Sequence, residues 1–198
     1  LLDRRRRGDN VVGALLGTEG SHALDGQLEN IDRLYAAGFR MMGLQHFFDN
    51  RLGGSLHGES QTGLTAFGEE AVRTMHARGI MIDVAHSSEA TVRDTLRVTG
   101  GGALIVSHTG FNGHCPSPRN ISDETMAMIT EAGGLIGVGF WSDVVCGASI
   151  NAIVSAIRYG VDRFGLEHIA LGSDWDGSVT TPIDASQLPH LTQALLDA

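Results

Sequence analysis

Residues 80–108, IMIDVAHSSEATVRDTLRVTGGGALIVSH, contain the pattern that determines the fold of this chain. Two apolar runs, one ending at His86 and one at His108, flank an amphipathic helical segment whose start Ser87 or Ser88 can cap. Near-continuous apolar runs of this kind are typical of strands buried in a parallel sheet. The stretch therefore predicts a strand–helix–strand unit with a histidine at the end of each strand.

The same alternation extends in both directions. Strand-like runs start near six positions, which are Val11, Phe39, Ile80, Ala103, Leu135 and His168. Most are separated by helical patterns, which predicts an α/β fold with a parallel sheet. An open doubly wound sheet is the alternative, but the TEGSH segment after Leu16 lacks the G-x-G-x-x-G turn expected there. A closed barrel needs eight strands, so the chain is predicted to be short by about two strand–helix units.

Composition and charge narrow the classes of partner. Acidic residues outnumber basic ones by 23 to 14, and the resulting net charge of −9 argues against a nucleic-acid or anionic-membrane surface as the main partner. The cluster Arg4 to Arg7 is interpreted as a solvated turn or helix end. No run reaches the roughly 18 apolar residues of a membrane span.

Cys115 and Cys146 form no CxxC motif and no disulfide framework, so we expect reduced thiols and a cytoplasmic, bacterial-type location.

Five apolar runs end on or just before a side chain that can bind a metal or move a proton: Glu19, His46, His86, His108 and Asp174. In a barrel of parallel strands, the carboxyl ends of the strands meet at one mouth, where the active site lies. Two long connections, residues 47–63 and 109–121, also follow such strand ends and can form a pocket. The pattern predicts a metal-dependent hydrolase.

Each of these residues has a chemical role that fits its type and a plainer interpretation. His86 and His108, on consecutive strands, can reach one ion, and Asp83 could orient a ligand nearby. Glu19 can bridge two ions or interact with a helix N-terminus. Asp174 can ligate a metal or carry a proton, or it can be a turn residue. His46 could stabilise an oxyanion, and Arg119 could pair with a substrate carboxylate or form a surface ion pair. His22 and His57 lie in loops, and nothing further in the sequence supports a role for them.

Six segments, taken together and in this order, resemble the membrane (renal-type) dipeptidase family, the M19 metallopeptidases. They are TEGSHALD, GLQHFFDN, GLTAFGEEAVRTMHARGIMIDVAHSS, IVSHTG, PRNISDE with the following GG, and GSDWDG, and they span most of the chain from about Leu15 to Gly177. The resemblance implies a (β/α)8 barrel of the metal-dependent hydrolase type with a two-zinc centre that hydrolyses dipeptides. About six of its eight strands would be present, within a single partial domain covering residues 1–198.

The resemblance also implies roles for individual residues. Glu19 would be the carboxylate bridging both zinc ions, and His86 and His108 the histidine ligands of the second ion. His46 would lie near the scissile carbonyl, and Arg119 would hold the substrate. Asp174 would bind the substrate amine or carry a proton. Attack by a metal-bound hydroxide on the peptide carbonyl is the mechanism expected from this set.

One feature of the family is missing from the sequence. The first zinc of the family is also held by a His-x-Asp pair on the first strand, and no His-x-Asp precedes Glu19. We therefore expect a fragment of a longer enzyme, with weak or no activity of its own and at most one well-held metal ion, at Glu19, His86 and His108. The expected substrate is a dipeptide or small amide, and a homodimer is possible in principle. The alternatives are a deacylase or lactamase on the same barrel, and a non-catalytic relative without the first metal pair.

Overall fold

The computed structural model describes residues 2–198, and a parallel sheet lies at its centre. Within this part of the chain the sheet has six strands in the order β1-β2-β3-β4-β5-β6, so each strand pairs with the next one along the sequence. The strands are β1 (Leu16–Thr18), β2 (Phe39–Gly43), β3 (Met81–Asp83), β4 (Ile105–Thr109), β5 (Leu135–Val138) and β6 (Ile169–Leu171). The predicted alternation and the parallel pairing are confirmed.

Helices connect these strands. Their bounds are α1 (Leu2–Arg6), α2 (Glu29–Ala36), α3 (Ala66–Ala77), α4 (Glu89–Thr99), α5 (Asp123–Glu131), α6 (Ser142–Val145), α7 (Ile150–Phe164) and α8 (Leu188–Leu196), with short 3-10 turns at His22–Leu24, Leu166–His168 and Ala185–Gln187. The side chains of Thr65, Ser88 and Ser122 accept a hydrogen bond from the first turn of the helix that each precedes. Ser88, rather than Ser87, is therefore the cap of α4.

The core forms where the middle strands meet the inner faces of the helices. Val106 of β4 and Ile136 of β5 are fully buried, as are Met75 of α3, Val92 of α4 and Ile129 of α5. Burial of such side chains stabilises a fold by about 1.5–3 kcal/mol each. The middle strands are thus fixed firmly, and so are the side chains at their carboxyl ends.

The two outermost strands depart from the prediction that every strand would be buried. Leu16 of β1 and Leu171 of β6 are about half exposed, at 54% and 51%. Val12, within the apolar run that predicted the first strand, is 94% exposed, and β1 begins only at Leu16. The reason is that β1 and β6 each have one neighbouring strand in the described sheet, so their apolar side chains lack a second packing surface.

The prediction of reduced thiols is wrong in this structure. Cys115, in the connection after β4, and Cys146, which ends α6, form a disulfide with a Cα–Cα distance of 5.5 Å. Two cysteines separated by 31 residues have no local motif that would identify them as partners. Folding brings them together because the β4–α5 connection packs against α6.

Two predictions about surfaces can be compared with the structure. No helix in the described range 2–198 has the length and apolar character needed to cross a membrane. The basic cluster near the start is exposed, and its Arg4 and Arg6 pair with Asp9 and Asp3 on the surface. The exposure of this cluster and its two surface ion pairs agree with its interpretation as solvated.

Candidate metal centre

Six of the predicted site residues line one cavity of about 840 Å³ at the carboxyl ends of the strands. They are Glu19, His46, His86, His108, Arg119 and Asp174. Glu19 directly follows β1, His46 and His86 come three residues after β2 and β3, and His108 lies within β4. The parallel order of the strands brings these residues together, although they are up to 155 positions apart in the sequence.

Glu19, His86 and His108 form the tightest cluster. The Glu19 Oε1 atom lies 2.9 Å from His86 Nε2 and 3.1 Å from His108 Nε2, and the two imidazole nitrogens are 3.1 Å apart. His86 is buried, with a side-chain exposure of 3%, whereas Glu19 is 41% exposed towards the cavity. Three atoms that carry lone pairs converge here, so a positive charge, from a proton or a metal ion, is needed between them.

The orientation of His108 is set by its neighbours. Ser107 Oγ donates to Asp83 Oδ2 at 2.6 Å, and the same oxygen lies 2.8 Å from His108 Nδ1. Because the hydroxyl proton is given to Asp83, Ser107 accepts the proton of His108 Nδ1. The lone pair of His108 is then on Nε2, which faces Glu19. Asp83 was predicted to orient a ligand near His86, and it instead acts on His108 through Ser107.

The donor set fits a divalent metal ion. Ligands about 2.1 Å from a tetrahedral ion lie roughly 3.4 Å from one another, so the observed spacing needs to widen by only a few tenths of an ångström. Two imidazoles and a carboxylate are common ligands of hydrolytic metal sites. Two further groups of side chains among the described residues lie close enough to share an ion. One is Glu19 with His46 and His86, and the other is Glu19 with His108 and Asp174.

His46 lies beside this cluster. Its Nε2 atom is 3.6 Å from Glu19 Oε1, and its ring packs edge-on against that of His86 with centroids 4.7 Å apart. The side chain remains 35% exposed. His46 can therefore reach both the cluster and a molecule in the cavity, as a group near a reacting carbonyl must do.

Asp174 borders the cavity on the side of His108. Its backbone has a φ of +58°, and Gly177 N donates to Asp174 O in a tight turn, so the turn interpretation and the cavity position are both correct. Burial, and the nearby negative charges of Glu19 and Asp176, raise the pKa of the Asp174 carboxyl, although His108 and Arg119 oppose the shift. A carboxyl with a raised pKa is suited to proton transfer.

Arg119 is a buried cation, and the surface ion-pair interpretation is excluded. Its Nη1 donates to Ala85 O at 2.8 Å, and its Nη2 donates to His108 O at 2.9 Å and approaches His86 Nε2 at 3.3 Å. These bonds occupy three of its five N–H protons and leave two for a ligand. Burial lowers the pKa of Arg119 to about 10, so the guanidinium is still charged at neutral pH.

Electrostatics keep the cluster in a form that can bind a cation. Its contacts with His108 and His86 hold the pKa of the Glu19 carboxyl far below its usual range. Burial lowers the pKa of His86 to about 4, although its contact with Glu19 opposes the shift. Glu19 is thus a carboxylate and His86 a neutral imidazole at neutral pH, which are the protonation states that metal ligation requires.

The cavity wall contains residues that sequence patterns did not assign to the site. His57, which had only its loop position in its favour, lines the cavity, and so does Phe47. Trp141 and the Cys115–Cys146 disulfide form part of the same wall. His22, the other loop histidine, packs against His46 with ring centroids 6.5 Å apart and does not line the cavity.

The chain is similar in sequence to known proteins. The family model described as membrane dipeptidase, peptidase family M19, matches residues 3–198. A protein of Klebsiella pneumoniae, described as an uncharacterized protein in the pqqA 5′ region, is 31% identical over 207 aligned positions, covering 96% of this chain and 76% of that protein.

Two solved structures show the same fold. A metallopeptidase from Rhodobacter sphaeroides, solved with a phosphinate mimic of the dipeptide L-Ala-D-Ala, is 26% identical, with a TM-score of 0.84 over 98% of this chain and 59% of that one. An amidohydrolase from Pseudomonas aeruginosa is 23% identical, with a TM-score of 0.84 over 99% of this chain and 68% of that one. The predicted α/β barrel class is therefore confirmed.

Proposed function

Because the chain belongs to the membrane dipeptidase family, peptidase family M19, whose members hydrolyse peptide bonds, we propose that it is a zinc-dependent dipeptidase. The metal ligands in this proposal are Glu19, His86 and His108. The observation that carries it is the convergence of their three ligand atoms within 3.1 Å of one another in a large cavity. The substrate analogue held by the Rhodobacter metallopeptidase supports a dipeptide as the substrate.

Zinc is proposed on the chemistry of the donors. Two neutral imidazoles and one carboxylate favour an ion that accepts both nitrogen and oxygen ligands, which disfavours magnesium and calcium. Glu19 would be shared with a second ion in a complete two-metal centre. When bound, such ions polarise the substrate carbonyl and supply an activated water at neutral pH.

The residues of the chain would divide the remaining tasks. His46, beside Glu19 and open to the cavity, is positioned to donate to the oxygen of the scissile carbonyl as negative charge develops there. Asp174, with its raised pKa, can hold the substrate amine or pass a proton to the leaving nitrogen. Both are proposed to contact substrate.

Arg119 is proposed to select substrates with a free carboxylate. Its two remaining N–H groups can donate to a carboxylate, and its burial strengthens that attraction because water is excluded. Asp174 lies with His108 and Glu19, whereas Arg119 contacts His86. A ligand with an amine beside Asp174 and a carboxylate beside Arg119 would be a short peptide with both termini free.

The test is hydrolysis and metal binding by the complete gene product. The purified protein, supplied with Zn²⁺, is incubated with a panel of dipeptides, N-acyl amino acids and β-lactams, and released amino acids are measured. We expect release from dipeptides above all. The variant His86→Ala should lose both the zinc and the hydrolysis, whereas His76→Ala, an exposed change on α3, should retain both.

The panel separates the proposal from its rivals. Faster turnover of N-acyl amino acids or β-lactams would assign the chain to a deacylase or lactamase on the same fold. Zinc binding without turnover of any amide would indicate a non-catalytic relative. Full zinc content in His86→Ala would show that the proposed ligand set is wrong.

A further inference from the structure

The segment that presents His57 to the cavity is held by its own side chains. This segment, residues 47–63, is called the His57 loop below. The carboxylate of Asp49 accepts hydrogen bonds from Ser55 N at 2.8 Å and Ser60 N at 2.9 Å. Gln61 Nε2 donates to Gly58 O at 2.7 Å. A Cβ atom at Gly58 would overlap the Asp49 carboxylate, so a larger residue there would force that carboxylate to move.

The His57 loop is also attached to the metal centre. Leu56 N donates to His86 O at 2.7 Å, and Ser88 N donates to Gly54 O at 3.0 Å. The hydroxyl of Ser55 donates to His46 O at 2.6 Å and lies 3.2 Å from His57 N as an acceptor. The backbone at position 57 is therefore fixed relative to two histidines of the centre.

The imidazole of His57 has a place in the cavity wall and no ring hydrogen bond among the described residues. Its ring centroid is 5.6 Å from that of His86 and 5.2 Å from that of Phe47. The Nε2 atom is buried without a partner. A buried nitrogen without a partner destabilises the protein, and a hydrogen bond from a ligand group would remove that cost.

From this geometry we infer that His57 is a further substrate-binding residue, which shares the C-terminal carboxylate of a dipeptide with Arg119. This inference rests on the proposed function. A carboxylate has about four acceptor positions, and the two free N–H groups of Arg119 do not saturate them. Rotation about the Cβ–Cγ bond of His57 can bring either ring nitrogen towards the cavity.

The positions of the charged groups favour the C-terminal carboxylate of the substrate, and not its amino terminus, as the group that His57 binds. His57 packs against His86, which Arg119 and Glu19 also contact. The charge of Glu19 would be balanced by the metal ion that it is proposed to bind, so Arg119 makes this the cationic part of the cavity. The acidic side chain of Asp174 groups instead with His108 and Glu19. An imidazole N–H can donate a hydrogen bond to an anion at the cationic part, and an ammonium group would be repelled there.

The test is the binding of an Ala-Ala phosphinate mimic, measured by calorimetry on the zinc-loaded complete gene product. The free-acid form is compared with its C-terminal amide. His57→Phe keeps an aromatic ring against Phe47 and removes both nitrogens. We expect it to weaken binding of the free acid by about tenfold or more and binding of the amide by much less, because a hydrogen bond to a charged group is lost. His57→Gln, which keeps an N–H donor, should restore at least half of the lost preference for the free acid over the amide.

Kinetics provide a second readout. In dipeptide hydrolysis, His57→Phe should raise KM with little change in kcat, and the matched change His76→Phe on the exposed face of α3 should alter neither. Equal loss of affinity for acid and amide would overturn the inference, as would an unchanged affinity in His57→Phe. Failure of the wild-type protein to bind either mimic would instead remove the proposed function, and this inference with it.

Discussion

At the scale of single residues, one hydroxyl determines which nitrogen of His108 is free. Ser107 donates to Asp83 and so accepts from His108 Nδ1, which places the lone pair on Nε2. Asp83 is itself fixed by the backbone N–H groups of Ala85 and Ser107, at 3.1 and 2.9 Å. The buried carboxylate thus sets the tautomer of a ligand with which it has no direct contact.

The first prediction concerns this arrangement. Ser107→Ala removes the acceptor of His108 Nδ1, and we expect zinc affinity to fall by about 10–100-fold, as is typical when a group that orients a ligand is lost. Competition with a chromogenic chelator measures this affinity. Ser155→Ala, an exposed serine on α7, is the control and should bind zinc like the wild type. Equal affinities in both variants would show that Ser107 does not orient the ligand.

At the scale of elements, the sequence predicted most of the fold because its helices carry local signals. Ser88, one of the two serines predicted to cap α4, does cap it, and the apolar runs predicted five of the six strand starts closely. The first strand was placed too early because residues 11–15 are apolar but lack a neighbouring strand on one side. Whether such residues are exposed depends on which strands are neighbours in the sheet, and the hydrophobic periodicity of the sequence does not indicate this.

The parts of the site that sequence patterns missed depend on contacts between distant segments. The Cys115–Cys146 disulfide joins two loops and has no local motif. His57 follows no apolar run, and its only signal is the glycine after it in a long loop beyond a strand. The proposed metal ligands, by contrast, lie at the ends of strands, which the parallel topology brings together.

The disulfide gives the second prediction. It closes a segment of 31 residues, for which the chain-entropy model gives a stabilisation of about 3–4 kcal/mol. Reduction of the wild-type protein should therefore lower its midpoint of urea unfolding clearly. The double variant Cys115→Ala, Cys146→Ala should have the lower midpoint from the outset and should not respond to the reductant. A wild-type midpoint that is insensitive to reduction would contradict the assigned stabilisation.

The third prediction concerns the pH dependence of the His57 loop. Backbone hydrogen bonds from Ser55 and Ser60 lower the pKa of Asp49 below its usual 3.8. The folded protein therefore binds this proton less readily than the unfolded chain does. The resulting stabilisation is present above pH 4 and is lost as the pH falls through the lowered pKa.

Urea unfolding of the wild type and Asp49→Asn across pH 2.5–6 tests this dependence. The wild type should be the more stable above about pH 4, and the difference should shrink below it. Asp197→Asn, which changes an exposed carboxylate near the end of the chain, is the control. A difference between Asp49→Asn and the wild type that grows on acidification would have the wrong sign.

At the scale of the whole molecule, the proposed metal site connects three of the six strands in the described sheet. Its proposed ligands follow or lie within β1, β3 and β4, and Arg119 donates to backbone carbonyl groups after β3 and in β4. A bound ion would link these strand ends at the mouth of the barrel. Metal binding is therefore expected to stabilise the folded chain globally, and not only the cavity.

The fourth prediction measures that linkage. At a free zinc concentration 100 times the dissociation constant, binding adds about 2.7 kcal/mol to the free energy of unfolding. For a chain of this size we expect a rise in Tm of roughly 5–10 °C, measured by calorimetry with and without zinc. His86→Ala should lose most of the rise and His76→Ala should keep it. An identical rise in both variants would show that zinc stabilises the protein at another place.

The bonds within the His57 loop have a consequence for how new substrate preferences could evolve. Asp49, Gly58 and Gln61 hold the loop through its backbone, and the side chain at position 57 makes none of those bonds. Position 57 can therefore be exchanged while the loop keeps its shape. A library randomised at this position alone should consist mostly of folded proteins that differ in the ligands they select, whereas randomising Gly58 should yield mostly misfolded loops.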